Sequence, residues 1–303
     1  MRTAYLGPPG TNSHAALVAA GAEGESVARA TVAAVIEAVQ GGDVERGVVP
    51  IENSRAGAVG ATLDALVFDA PDVVIVGELV HRVCYCLVAA EPIAPDEVRT
   101  VHSHPQANGQ CARFLAAQLP GAAVVAAPST ADAVRAVADG GVLAGAPPHA
   151  AIGTRHAARL YGATVLADGI EDDADNATRF AWIARASGPD PYAATPTSGS
   201  DPHASALRSG ATLADPGHKT ALVFWGGGDL APGWLVDCLT EFSSRAITLT
   251  RIESRPRRVG LGHYMFFCDL EGAASNPEVA AGVAGLRAHC EAVRVLGSFP
   301  AAD

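Results

Sequence analysis

Short apolar runs alternate with amphipathic helical stretches through the first 186 residues, and this alternation constrains the fold more than any other feature of the chain. The runs Thr3–Leu6, Arg46–Pro50, Val73–Leu79, Val83–Ala89, Val124–Ala126, Val142–Gly145, Thr164–Leu166 and Phe180–Ala184 read as strands. Between them, Ser13–Ala20, Thr31–Gln40, Gly60–Phe68, Pro105–Gln118, Thr130–Ala138 and His149–Tyr161 read as helices. Strand and helix in turn predict an α/β unit built on a mostly parallel sheet.

The composition changes sharply near Ala186, where Pro, Ser, Gly and Ala offer little apolar surface to bury, so residues 187–217 read as a linker. A second unit, residues 218–303, follows in the order strand Thr220–Trp225, helix Gly233–Ser244, strands Ile247–Ser254 and Tyr264–Leu270, helix Pro277–Cys290 and strand Val293–Ser298. This is the ferredoxin-like βαββαβ pattern. With 303 residues, 49% of them hydrophobic and 17% charged, the chain has material for two or three packed units.

Charge and punctuation exclude several functions. Thirty-two acidic residues against 21 basic ones give a net charge of −11, which repels phosphate backbones and anionic lipid, so neither nucleic acid nor a membrane is expected as a partner. Gly7-Pro8-Pro9-Gly10 interrupts the N-terminus before any signal-like apolar region, and a cytoplasmic location is expected. The six cysteines contain no C-x-x-C and read as buried thiols, with Cys84 and Cys86 sharing one strand face. His102 and His104 have no third ligand at metal-site spacing, and no metal or other cofactor is expected.

Four strand-to-helix turns carry small or hydrogen-bonding residues: Gly10, Thr11 and Ser13 in the first, Glu52, Asn53 and Ser54 in the second, Ser103 and Gln106 in the third, Ser129 in the fourth. Free N–H groups at a helix start favour an anion, and in α/β sheets such turns lie where ligands bind. Plain N-capping, which stabilises a helix by about 1 kcal/mol, explains any one of them. Four together, two in each half, point to a cleft for a multiply charged small anion. A second concentration of chemistry is Asn176-Ala177-Thr178-Arg179-Phe180, after an acidic run. Here Thr178 offers a hydroxyl to a departing oxygen, Arg179 a bidentate grip on a carboxylate, and Phe180 a dry wall.

Taken together, AYLGPPGTNSHAAL (4–17), VVPIENSRAGAVGATLDAL (48–66), HSHPQANGQCARFL (102–115), STADAVRAV (129–137) and the stretch from Ala150 to Phe180 resemble prephenate dehydratase. The C-terminal unit is similar to that family's regulatory ACT domain, through RIESRP (251–256) and PGWL (232–235). The resemblance implies a two-lobed catalytic domain like a type II periplasmic binding protein, with residues 1–78 and 163–186 in one lobe and 79–162 in the other. It implies prephenate as substrate, Thr178 as the principal catalytic residue, and Asn53, Ser13 and Ser54 as polar groups of the cleft. It also implies a homodimer or homotetramer that binds phenylalanine or another amino acid through Gly233, Trp234, Leu235, Glu253, Ser254, Arg255 and Pro256. Three departures from the family pattern stand out: Asn12 in place of an aromatic, Tyr85 near a position where some members have histidine, and Trp234 in place of alanine. The indole of Trp234 is expected to crowd the effector site and weaken the response to phenylalanine. Competing readings are a decarboxylase that leaves the ring non-aromatic, an arogenate dehydratase, and a sensor without turnover.

Overall fold

Val48, Val49 and Ile51 lie almost consecutively in one strand and are all buried, so that strand must be covered on both faces. A computed structural model shows how; it describes residues 1–140, 148–186, 217–228 and 230–302. The first lobe runs β1 (Arg2–Leu6), α1 (Asn12–Ala19), β2 (Glu25–Arg29), α2 (Val32–Gln40), β3 (Arg46–Asn53), β4 (Gly57–Ala58), α3 (Gly60–Phe68) and β5 (Val73–Arg82). The second runs β6 (Cys86–Ala89), β7 (Thr100–Ser103), α4 (Pro105–Gln110), α5 (Ala112–Gln118), β8 (Ala123–Ala126), α6 (Thr130–Ala138), β9 (His149–Gly153), α7 (Arg155–Tyr161) and β10 (Thr164–Asp168). The chain then returns as β11 (Ala177–Arg185), completing a first sheet of order β2-β1-β3-β11-β5, with β4 paired to β3. The second sheet has the order β10-β6-β9-β7-β8.

The C-terminal unit comprises β12 (His218–Trp225), α8 (Trp234–Ser243), β13 (Leu249–Pro256), β14 (Tyr264–Glu271), α9 (Pro277–His289) and β15 (Ala292–Pro300). Its antiparallel sheet has the order β13-β14-β12-β15, the arrangement expected of βαββαβ. Leu222, Phe224, Cys268 and Leu270 face helices α8 and α9. On the other face Val223, Met265, Phe267 and Leu296 join Leu63, Leu66, Ile75 and Ile183 of the first lobe in one core. Gly297 lets the two sheets meet, since a Cβ there would collide with the Ile75 carbonyl.

Several elements differ from the sequence reading. His149–Gly153 is a strand, not the start of a helix, because Ala150, Ala151 and Ile152 are buried between β6 and β7. β10 pairs with β6 in the second sheet rather than joining the first lobe, so the chain crosses back only after Asp168. β2 and β7, too polar or too short to signal themselves, are additional strands. The helix read over Pro105–Gln118 breaks at Cys111. Strand geometry is lost at 83–85, leaving Cys84 exposed and Cys86 buried rather than on a common face. The strand expected at Val142–Gly145, and residues 187–216 of the expected linker, lie outside the described residues. Among the described residues no helix is long and apolar enough to cross a membrane.

One side chain closes the C-terminal end of α3 from across the unit boundary. Arg294 of β15 donates to the carbonyls of Leu66 (2.7 Å), Ala70 (3.0 Å), Pro71 (2.8 Å) and Val73 (3.2 Å). Leu66 lies in the last turn of α3, whose carbonyls lack intrahelical donors; Ala70 and Pro71 belong to the turn that leads into β5, and Val73 begins that strand. Arg294→Ala is therefore expected to lower stability by about 2–3 kcal/mol, read as a shift in the urea midpoint; an unchanged midpoint would mean that the contact adds nothing.

Candidate functional site

β11 enters the first sheet between β3 and β5, and its register sets three polar side chains in a row. Thr178 stands opposite Asn53 on one side and His81 on the other. Directly opposed residues share a face, and this row lies at the carboxyl ends of β3 and β5, where α/β sheets take their ligands. Asn53 Nδ2 donates to Thr178 Oγ1, Asn176 Oδ1 and the Ala177 carbonyl, each at 3.0 Å. Its Oδ1 accepts from the N–H groups of Arg55 (3.0 Å) and Ala56 (2.9 Å), so the amide's orientation is fixed from both ends. Thr178 is only 9% exposed. With a lone pair of its oxygen engaged by Asn53, the hydroxyl proton is left to be donated, and a polarised hydroxyl is the better donor. Ser54 completes the joint: its hydroxyl accepts from Ala177 N–H (3.0 Å) and donates to the Asp175 carbonyl (3.3 Å).

The turn from Gly10 to His14 is gripped by the second lobe. Thr11 caps α1 and donates to the Leu6 carbonyl (2.9 Å). Ser13, in the first turn of α1, is buried. Thr154 caps α7 and donates to the Gly10 carbonyl (2.9 Å), while Tyr161 donates to the Pro9 carbonyl (2.6 Å). Gly10 has φ +93°, and a side chain there would press on Ala131, Ala157 and Tyr161. His14 stacks on Tyr5, accepts the Gly10 N–H (3.0 Å), and lies 3.0 Å from Nε2 of His156 on α7. Since His14 Nδ1 accepts from Gly10, the bond between the rings has His156 as donor. Burial, then the neighbouring imidazole of His156, lowers the pKa of both His14 and His81; burial, then Arg159, lowers that of His156. Tyr85, one of the departures from the family pattern, is buried, and burial pushes its phenol up to about 12 against the opposing influence of Asn12, another departure.

Other expected site residues are engaged elsewhere. Strand alternation turns Arg179 and Glu52 to the face opposite Thr178 and Asn53. Arg179 is 12% exposed and held by Glu52, Glu78 and Asp269, so the substrate grip expected of it, and of Glu52 beside it, gives way to ion pairs within the protein. Phe180 is core beneath α1, packed with Tyr5, Leu17 and Val48, rather than a pocket wall. Ser103 is fully buried and donates to the Ile152 carbonyl (2.8 Å), a bond inside the second sheet. Ser129 caps α6 and bonds Asp132, and Gln106 is exposed in the first turn of α4. The sequence reading missed His14, His81, His156 and Thr154. His81 falls outside the strand read over Val73–Leu79, whereas β5 continues to Arg82 and its register sets His81 opposite Thr178.

In the C-terminal unit Gly233, Trp234 and Leu235 line a cavity of about 190 Å³ with Tyr264 and Phe266. Ser254 and Pro256 stand cross-strand from Phe266 and Tyr264 and share their face, whereas Glu253 and Arg255 alternate to the other. Arg255 reaches into the first lobe and pairs with Asp64 at 3.0 and 2.8 Å. Trp234 forms one wall of the cavity: it is 7% exposed, packs on Phe224 and Phe266, and donates to the His289 carbonyl (2.7 Å).

The family model described as prephenate dehydratase matches residues 3–188. A prephenate dehydratase from Mycolicibacterium vanbaalenii is 38% identical over 315 aligned residues, covering 99% of this chain and 91% of that protein. The crystal structure of a prephenate dehydratase from Arthrobacter aurescens in complex with L-Phe is 32% identical with TM-score 0.80, covering 99% of this chain and 89% of the other. A structure described as a novel type of quorum quenching acylase is 28% identical with TM-score 0.80, covering 99% and 98%.

The histidines generate a pH dependence of known sign. Their folded pKa values lie below the ordinary 6.5, so the unfolded chain takes up protons more readily. Their contribution to stability is thus complete above 6.5 and is lost as pH falls through the lowered values. His156→Gln is expected to shallow the fall in Tm between about pH 7.5 and 5.5; parallel melting profiles for variant and parent would contradict this.

Proposed function

The chain belongs to the prephenate dehydratase family, and from that premise we propose that its cleft converts prephenate to phenylpyruvate with Thr178 as the catalytic hydroxyl. The carbon–carbon bond to the ring carboxylate breaks and its electron pair enters the ring. The carbon–oxygen bond of the ring hydroxyl breaks in turn, and the departing oxygen takes up a proton. The dianion and one proton become the keto-acid anion, carbon dioxide and water. Aromatisation supplies the driving force, so the protein's task is to hold the substrate and ease the departure of the hydroxyl. The observation that carries this reading is the Asn53 amide on Thr178 Oγ1, which leaves the hydroxyl proton free for the leaving oxygen. That hydrogen bond strengthens as charge develops on the oxygen. The first turn of α1, which carries Ser13, favours the negative charge of a carboxylate through the helix dipole.

The C-terminal unit fits a regulatory ACT domain, with phenylalanine as the amino acid sensed. Its support is the cavity lined by Gly233, Trp234 and Leu235, and the bound L-Phe of the related structure. Association into a homodimer or homotetramer is supported by β13, whose outer edge pairs with no strand among the described residues, and by exposed Ile252, Val259 and Leu261 nearby.

Incubating purified protein with prephenate at neutral pH should yield the aromatic keto acid, and Thr178→Ala should lower turnover by about two orders of magnitude or more with KM largely kept. A non-aromatic dihydro acid as product would support the decarboxylase reading, and unchanged turnover in the variant would remove Thr178 from the mechanism.

A further inference from the structure

Arg179 is adjacent to Thr178, yet its guanidinium faces the C-terminal unit. Glu52 Oε2 lies 3.0 Å from it, Glu78 Oε2 2.9 Å and Asp269 Oδ2 2.6 Å. Lys219 donates to the other oxygen of Glu78 (2.7 Å), and Arg251 donates to Asp269 (2.9 Å). The cluster thus contains three cations and three anions. Glu52, Glu78 and Arg179 come from β3, β5 and β11 of the first sheet; Lys219, Arg251 and Asp269 come from β12, β13 and β14 of the C-terminal sheet. Glu78 and Asp269 are 2% and 1% exposed, so these ions have exchanged solvent for one another. The Asp269 oxygen nearest Arg179 also receives Arg251, whose Nη1 is buried without a partner among the described residues. Two guanidinium groups therefore share one carboxylate oxygen, with Arg251 also reaching the other (3.3 Å), and Arg179 is the backbone neighbour of Thr178. The register between β11 and β3 shifts immediately after Arg179, so the Thr178–Asn53 pairing has no regular ladder behind it on that side.

Resting on the reading of Thr178 as the catalytic hydroxyl, we propose that Arg179 is a positioning residue rather than a substrate ligand, and that Asp269 of the C-terminal unit sets where it holds Thr178. The C-terminal sheet thereby bears on the reaction through one carboxylate, without touching the cleft. Depressed carboxylate pKa values accord with the cluster: burial alone would raise Asp269 and Glu78, but Arg251 and Arg179 beside the one, and Lys219 and Arg179 beside the other, hold both below their ordinary range.

Three variants test this in the intact chain. Asp269→Asn keeps the shape and removes the charge. Arg179→Lys keeps the charge but cannot reach three carboxylates at once. Asp64→Asn is the control, because it removes the Arg255 and Arg258 pairs between the same two units without touching β11. Asp269→Asn and Arg179→Lys are each expected to lower kcat by about tenfold, with KM for prephenate held within about twofold, while Asp64→Asn keeps its kcat. A rise in KM with kcat retained in Arg179→Lys would make the arginine a substrate ligand and overturn the proposal. An equal fall in kcat for Asp64→Asn would reduce the cluster to general docking and overturn it as well. Amide hydrogen exchange decides the coupling independently of substrate, even if the parent chain does not turn over prephenate. Exchange over residues 177–180 should quicken in Asp269→Asn, or in Arg179→Lys should the former not fold, and not in Asp64→Asn; unchanged exchange there refutes the proposal.

Discussion

A β-strand must send successive side chains to opposite faces, and β11 lies where this constraint joins two tasks. Thr178 faces the cleft between Asn53 and His81, and Arg179 faces the C-terminal sheet between Glu52, Glu78 and Asp269. Neither residue can be repositioned without moving the other, because the two share a peptide unit. The site is therefore built less by loops than by the register of one strand. Asn53 holds that register on the cleft side through contacts to Asn176, Ala177 and Thr178.

The lobes and the C-terminal unit are joined by different physics. Between the lobes, the Gly10 turn is held through hydrogen bonds from Thr154 and Tyr161 and through the contact of His14 with His156. These contacts are centred on one turn. Between the first lobe and the C-terminal unit lies a continuous apolar core, flanked by the six-charge cluster, the Asp64 pairs and the four carbonyls held by Arg294. Burying so many ions is costly unless each is matched, and the equal numbers of each sign meet that condition.

Much of this architecture was readable from residue pattern. Three helices that begin with a capping Thr or Ser, α1, α2 and α6, start within one residue of where the pattern places them, because the cap and the apolar face agree, whereas α7, capped by Thr154, starts at Arg155 and not at His149. His149–Gly153 was misread because small apolar residues before a helix carry no period of their own. The pairing of Asn53 with Thr178 could not be read, since the partners are 125 positions apart, but both were singled out for their hydroxyl and amide chemistry. Arg179 shows a signal that was present and unused. If Thr178 meets a ligand, strand alternation already turns its neighbour away, and only the fold supplies Asp269, 90 residues on, to receive it. The orientation of Trp234 likewise depends on Phe224, Phe266 and the His289 carbonyl, which come together only in the folded unit.

In the proposed reaction Asn53 acts by presenting the Thr178 hydroxyl to the leaving oxygen. A double-mutant cycle on turnover of prephenate, with Thr178→Ala, Asn53→Ala and the combined variant, measures that dependence. If the amide works through the hydroxyl, the combined variant will be about as slow as Thr178→Ala alone. Losses that multiply would mean that the two side chains act separately, and the account of the site would be wrong.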